Sequence, residues 1–393
     1  MNIEAIDKEY VLHTYARNYV NFTHGHNATL YDDTGQDYID LTSGIGVASV
    51  GHANPRLSQA ICDQAKKIIH ISNLFAIEPQ ALLAKRLVEL SGYDMRLFFA
   101  NSGAEANEGA IKIARKYGEV DGQIKRYKIL TLKHSFHGRT ITALKATGQE
   151  AMHTYFGPFP DGFVYAEDIE QVPQLLDDHT VAVMIELIQG EGGVEPQDKG
   201  AVQRLAKILK ERDTLLIVDE VQTGIYRTGE LLASNLYEIE PDIITLAKGL
   251  GGGVPIGAVM TRLKDIFAPG DHGSTFGGNY LSTRAALEVL DILEEEKESG
   301  ALDHRMIYFE ERLKAIAAKF SNLFEKEVGL GLMRGLRAKE ADVQNKIVKK
   351  AFEERVLVLK AGRNTVRFLP PLTITKEEID EGLGRFERAL ETL

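Results

Sequence analysis

Apolar and polar positions follow three rhythms along the chain. Up to residue 27 the sequence is polar and aromatic with little period. Ala28–Asp32 and Asp37–Leu41 then flank Asp33-Thr34-Gly35-Gln36, the pattern of a β-hairpin. Pro55–His70 places Leu57, Ile61, Ala65, Ile68 and Ile69 on one side of a helix. Pro79 opens another helix, in the favoured first position, that runs to about Leu90.

A second rhythm begins near Arg96. Short apolar runs at Arg96–Ala100, Lys128–Leu132, Phe163–Tyr165, Val181–Ile185, Leu215–Asp219, Ile243–Ala247 and Ala258–Met260 alternate with helical stretches. The clearest helices are Ala104–Tyr117 and Gly200–Arg212, and a longer one spans Leu281–Glu298, whose Glu294-Glu295-Glu296 reads as a solvated face. Strands alternating with helices predict an α/β domain with a mostly parallel, seven-stranded sheet covered on both faces. Ligands of such sheets bind at the carboxyl ends of the strands.

The last rhythm mixes strand-like runs at Leu330–Leu336, Val356–Leu359 and Val366–Leu369 with helices at Ala341–Glu354 and Lys376–Thr392. The expected organisation is a large domain over 91–300 and a small α+β domain built from both chain ends, 1–90 and 301–393. No internal repeat or low-complexity segment interrupts it.

Composition narrows the classes of function. The chain has 393 residues, 44% apolar and 26% charged, ordinary for a globular protein with a large core. A net charge of −11 disfavours nucleic acid as a partner, because phosphate contacts need a basic surface. The single cysteine, Cys62, excludes an intrachain disulfide framework and fits a reducing compartment. The first residues show neither a basic nor an apolar leader segment, and no apolar run is long enough to span a bilayer. A cytoplasmic enzyme with no membrane partner is the expectation.

The candidate chemistry centres on Lys248. It ends the apolar run Asp242–Ala247 and precedes four glycines within Gly249–Gly253. A lysine at the tip of a buried strand is partly desolvated, which disfavours its charged form and lowers its pKa. Such an amine can attack a carbonyl and form a Schiff base. The glycines let backbone approach a ligand closely. A surface lysine beside a flexible turn is the plainer reading. A phosphate-binding P-loop is excluded, because there the lysine follows the glycines.

Other strand ends supply matching pieces. Asn101-Ser102-Gly103-Ala104 opens a helix whose free N–H groups and dipole suit an anion, compatible with a capping box between Ser102 and Glu105. Phe136 and Arg139 follow another strand: an aromatic able to stack on a planar ring, and a guanidinium able to fork a carboxylate. The plainer alternative is a core phenylalanine and a surface ion pair. His134 and His137 lack a third ligand nearby, so no metal is expected. Asp219 ends a buried strand, where a carboxylate is costly without a partner; a protonated pyridine nitrogen would satisfy it, and Gln222 would suit a phenolate oxygen. The loop His272–Asn279 offers Ser274 and Thr275 as donors. Glu191 follows a further strand in a glycine-rich loop, and Arg367 is a cation within an apolar strand that needs an anion. Together these are the parts pyridoxal phosphate requires.

With these motifs the sequence resembles the class III pyridoxal-phosphate aminotransferases, the ornithine/acetylornithine type, of fold type I. The resemblance runs from Thr14-Tyr15-Ala16-Arg17 to Arg367-Phe368-Leu369-Pro370-Pro371. Ile71-Ser72-Asn73-Leu74-Phe75, Phe136–Thr140, Gly251–Ala258 and His272–Asn279 are most similar to the acetylornithine branch. It implies that Lys248 holds the cofactor, pyridoxal 5'-phosphate, and then moves the proton. Asp219 would pair with the ring nitrogen, Phe136 and Val221 would cover the ring faces, and Gln222 would contact the ring oxygen. Ser102, Gly103 and Ala104 would bind the phosphate. Thr275 would reach the phosphate of a partner subunit in a homodimer whose active sites lie at the interface. Arg139 and Tyr15 would hold the α-carboxylate of acetylornithine, and Arg367 and Arg139 the two carboxylates of 2-oxoglutarate. Glu191 would mask Arg367 while the donor is bound. Ser72, Asn73 and Ser274 would lie beside the substrate, Ser72 and Asn73 from across the interface.

Three stretches depart from the pattern. Leu187 replaces the common proline after Glu186, Tyr280-Leu281-Ser282-Thr283 replaces proline and small residues, and Asn18–His26 is unusually polar. Ornithine, succinylornithine, succinyl-diaminopimelate and 4-aminobutyrate remain alternative donors. An aminomutase or a non-catalytic relative is the reading from another class.

Overall fold

The computed structural model of the chain describes residues 2–393. Seven strands form the central sheet: β1 (Arg96–Ala100), β2 (Lys128–Leu132), β3 (Phe163–Ala166), β4 (Thr180–Ile185), β5 (Leu215–Asp219), β6 (Ile243–Leu246) and β7 (Gly257–Thr261). Their order is β1-β7-β6-β5-β4-β2-β3. The strands from β2 to β6 run parallel, while β7 is antiparallel to both of its neighbours.

The sheet is buried on both faces, and its side chains divide by alternation. Leu130, Leu132, Val183, Ile185, Leu216 and Val218 pack with Ala201, Val202, Leu205 and Leu209 of the helix Lys199–Glu211. Their neighbours Ile129, Ala182, Met184, Leu215 and Ile217 pack with Ala106, Ala110, Ile113 and Ala114 of the helix Gly103–Tyr117. A period of two along each strand therefore feeds two apolar layers.

Two further sheets have four strands each. Phe22–His26, Thr29–Asp32 and Asp37–Asp40 are antiparallel, and Val356–Leu357 joins them in parallel, with Val356 opposite Ile39. The two chain ends thus share one sheet. The other sheet is antiparallel and comprises Phe324–Leu330, Met333–Ala338, Thr365–Phe368 and Leu359–Ala361. No helix among the described residues is long and apolar enough to cross a membrane.

Several expected elements differ. The run Leu330–Leu336 is not one strand but the turn of a hairpin, reversed at Gly331 and Leu332. Gly331 has φ +59°, and a Cβ there would lie 2.5 Å from the Arg227 carbonyl, so only glycine fits. The run Val356–Leu359 is divided between two sheets. The first helix stops at Ala65, and Gln64 Nε2 donates to the Ile68 carbonyl where the helix was expected to continue. Helices that were not anticipated include Ile3–Tyr10, Ile141–Ala146, Ala233–Tyr237 and Ala301–Lys319. The last buries Leu302, Met306, Phe309, Leu313 and Ile316. That helical spacing is present in the sequence, directly after the acidic run and Gly300.

Candidate active site

The carboxyl ends of five strands converge on a cavity of about 380 Å³. After β1 come Ser102, Gly103 and Ala104. Phe136, Gly138 and Arg139 follow β2, and Glu186 and Glu191 follow β4. Asp219 ends β5, with Val221 and Gln222 beyond it, and Lys248 follows β6. All of these line the cavity. Chain segments far apart in sequence meet because parallel strands point their ends the same way.

Asp219 is held from three sides. Its Oδ1 accepts the Val221 N–H at 3.0 Å. Its Oδ2 accepts Asn107 Nδ2 and His137 Nδ1, each at 2.8 Å. Burial alone would lower the pKa of His137, but the hydrogen bond and charge of Asp219 outweigh it and raise that pKa. Asn107 Nδ2 also donates to the His137 carbonyl at 2.6 Å. Sequence reasoning missed both partners. His137 was weighed only as a metal ligand, and its Nδ1 is committed to Asp219. Asn107 lies one helical turn inside the helix that Ser102 opens, and that spacing was the available signal.

Lys248 sits at φ +41°, a left-handed conformation uncommon for a side-chain-bearing residue. Burial, and next the charge of Arg367, lower its pKa to about 8. Roughly a tenth of the amine is then neutral at pH 7, far more than for an ordinary lysine, and available as a nucleophile or base. Glu186 is a third unanticipated group. Its Oε2 accepts the Phe136 N–H at 2.9 Å, its Oε1 the Gly190 N–H at 3.4 Å, and burial raises its pKa to about 7.

The helix start beside the cavity is capped by Ser102 Oγ, which accepts the Glu105 N–H at 3.2 Å. The expected capping box is displaced by one residue: the Glu105 carboxylate accepts the Asn101 N–H at 2.6 Å instead of that of Ser102. Gly103 packs on Val221, where a Cβ would lie 2.7 Å from Val221 Cγ1.

The two arginines differ. Arg139 is exposed at the cavity, with its guanidinium 5.5 Å from the centre of the Phe136 ring. Arg367 is buried, and its Nη1 donates to Glu191 Oε1 at 2.6 Å and to Gln222 Oε1 at 3.3 Å.

Ser72, Asn73, Ser274 and Thr275 line a separate cleft of about 790 Å³. Asn73 Nδ2 donates to the Ser274 carbonyl at 3.0 Å and the Gly277 carbonyl at 2.9 Å. Asn101, which lines the first cavity, donates to Ser274 Oγ at 3.2 Å and joins the two clefts. Leu74, Phe75 and Phe276 are more than half exposed in or beside the second cleft. Tyr15 lines neither; it is 74% exposed, with Arg17 over its ring.

The residues of the main cavity fit pyridoxal phosphate. A buried carboxylate stands in one wall, N–H groups of a helix start meet the cavity at Gly103 and Ala104, and Phe136 and Val221 are apolar walls for a planar ring. Fold and cavity together define an enzyme of the pyridoxal-phosphate transferase class, fold type I. The chain belongs to the class III aminotransferases: the family model "Aminotransferase class-III" matches residues 12–390. It is therefore a pyridoxal-phosphate-dependent transaminase.

Relatives of known structure or function agree. The acetylornithine aminotransferase of Wolinella succinogenes is 67% identical over 388 residues, covering 98% of this chain and 99% of that protein. The N-acetylornithine aminotransferase of Stenotrophomonas maltophilia superposes with a TM-score of 0.84 at 34% identity, over 99% of this chain and 98% of that one. An ornithine aminotransferase structure from Toxoplasma gondii, with partial occupancy of pyridoxal phosphate at its active site, gives 0.92 at 34% identity, over 99% and 94%.

Proposed function

We propose that the protein is an acetylornithine:2-oxoglutarate aminotransferase of arginine biosynthesis. It would move the terminal amino group of N2-acetyl-L-ornithine to 2-oxoglutarate, giving N-acetylglutamate 5-semialdehyde and glutamate. The observation that carries the reading is the Arg367–Glu191 pair at 2.6 Å. A transaminase must accept two substrates in one cavity, here a donor with one carboxylate and an oxo acid with two. A buried arginine closed by a movable acid serves both, being neutralised for the first and released for the second. The 67% identity to a protein named acetylornithine aminotransferase supports this donor over ornithine.

Bound pyridoxal phosphate supplies the electron sink for removing the proton next to the transferred nitrogen. Ser102, Gly103 and Ala104 would hold its phosphate at the helix start. Phe136 and Val221 would flank the ring, and Gln222 would offer a donor to its oxygen. Asp219, itself fixed by His137 and Asn107, would keep the ring nitrogen protonated. Lys248 would supply the neutral amine that anchors the cofactor and the base that moves the proton. Arg139 would hold the α-carboxylate of acetylornithine so that the terminal amine reaches Lys248; Tyr15, the other contact expected from the sequence, lies outside the cavity. For 2-oxoglutarate, Arg367 takes the α-carboxylate and Arg139 the distal one.

The second cleft supports a homodimer. Exposed Leu74, Phe75 and Phe276 suit a protein partner, and Thr275, Ser72, Asn73 and Ser274 would complete the site of the facing subunit. The small domain would comprise 1–90 and 301–393, and the large one 91–300. We further propose a cytoplasmic location, which fits the single cysteine of the chain.

The test is the visible spectrum of purified holoenzyme. N-acetylornithine should bleach the cofactor band and 2-oxoglutarate should restore it. Bleaching by ornithine or 4-aminobutyrate alone would retain the transaminase and reject the donor.

A further inference from the structure

Arg367 is 2% exposed, and a guanidinium offers only donors. Its Nη1 serves two acceptors, Glu191 Oε1 at 2.6 Å and Gln222 Oε1 at 3.3 Å. Because the atom facing an arginine must be an acceptor, the Gln222 oxygen is committed to Arg367. The amide nitrogen is then the part left for the cavity, which Gln222 lines. The place of the oxygen is also shaped by the backbone. A Cβ at Gly190 would lie 2.2 Å from Gln222 Oε1, so the absence of a side chain there makes room for it. Gly190 directly precedes Glu191. One amide therefore touches the arginine, the loop that carries the acid, and the cavity.

We propose that Gln222 transmits the state of the Glu191–Arg367 pair to the cofactor. With the pair closed, Arg367 fixes the amide and polarises it, which strengthens its N–H donor toward the cavity. When Arg367 turns to a substrate carboxylate, the amide loses that partner and the donor weakens. Arg367 is thus a positioning residue for the cofactor in the resting enzyme, besides its role in docking the oxo acid. The inference rests on the proposed reading in that it takes pyridoxal phosphate as the occupant and Arg367 as a substrate-docking group. Other charged groups around the cavity are Lys248, Asp219, Glu186, Glu191 and Arg139. Arg367 also acts on Lys248 directly through its charge, so the test must separate charge from hydrogen bond.

The experiment is a spectrophotometric pH titration of resting holoenzyme, without substrate, in a double-mutant cycle. Arg367→Lys keeps the charge on a side chain that cannot place the same fork. It should move the midpoint of the visible band by about half a pH unit, a roughly threefold change in the protonation equilibrium. In a Gln222→Ala background the same substitution should move it by less than a third as much. Gly190→Ala, which displaces the amide and leaves Arg367 in place, should reproduce the shift. An equal Arg367→Lys shift with and without Gln222 would overturn the coupling, as would an unmoved midpoint in both Arg367→Lys and Gly190→Ala. These outcomes are read without substrate. A wild-type holoenzyme that N-acetylornithine does not bleach would instead reject the donor assignment and leave the coupling to be judged on its own titration.

Discussion

The two ends of the cavity are built differently. At the Asp219 end, three donors converge on one buried carboxylate, and one of them, Asn107, also ties down the His137 backbone. At the Arg367 end, a buried arginine meets an acid whose side chain is 29% exposed and which sits in a glycine-rich loop. The first network has no simple alternative arrangement, since moving any member leaves a buried polar group unpaired. Glu191 can reach water, so the acid can leave when a substrate carboxylate takes its place on the buried Arg367. The difference matches the task. The electron sink is needed in both half-reactions, whereas the second carboxylate site is needed in only one.

The sharpest way to break the comparison is at the rigid end. Asp219→Asn preserves volume but faces its amide toward groups that already donate, and under the proposed reading it would withdraw the charge that holds the ring nitrogen protonated. Both half-reactions should slow by about 10³-fold, the middle of the range for acid–base groups. Stopped-flow absorbance with each substrate alone measures this. Loss confined to one half-reaction would mean that Asp219 serves the substrate and not the sink.

A smaller effect concerns the lysine between the two ends. Its folded pKa of about 8 lies below the ordinary lysine value of 10.5. The unfolded chain therefore binds more protons between those values, and stability of the cofactor-free protein gains from this group as pH rises through that window. Below pH 8 the full cost of the buried ammonium is present. Cofactor-free Lys248→Met should then exceed wild type in stability at pH 7 by up to about 3 kcal/mol, with the gap closing toward pH 10. Urea denaturation at the two pH values checks it. A gap that widened with pH would show that the amine is not desolvated.

The same contrast governs what could be read from sequence. The sheet was legible because β4, β5 and β6 are largely apolar runs with sharp ends, and the site was legible because Asp219 and Lys248 place charge at the ends of β5 and β6. Groups that act through a neighbour were not. Asn107 and Glu186 look like an ordinary helix residue and an ordinary strand-end acid until the fold places them against Asp219 and the Phe136 N–H. The hairpin at Gly331 was hidden because its two strands read as one run, and only the close approach to the Arg227 carbonyl reveals the turn. The helix Ala301–Lys319 was readable from its spacing and was overlooked beside the acidic run.

The central claim is that one end of the cavity is common to both substrates and the other is a switch. The most direct measurement is the rate of each half-reaction in Arg367→Met holoenzyme, followed by stopped-flow absorbance. Transfer from N-acetylornithine should fall by less than about tenfold, while return transfer to 2-oxoglutarate should fall by about 100-fold or more, as expected when one partner of a desolvated charge pair is removed. Equal losses in both directions would contradict the division and make Arg367 part of the common machinery.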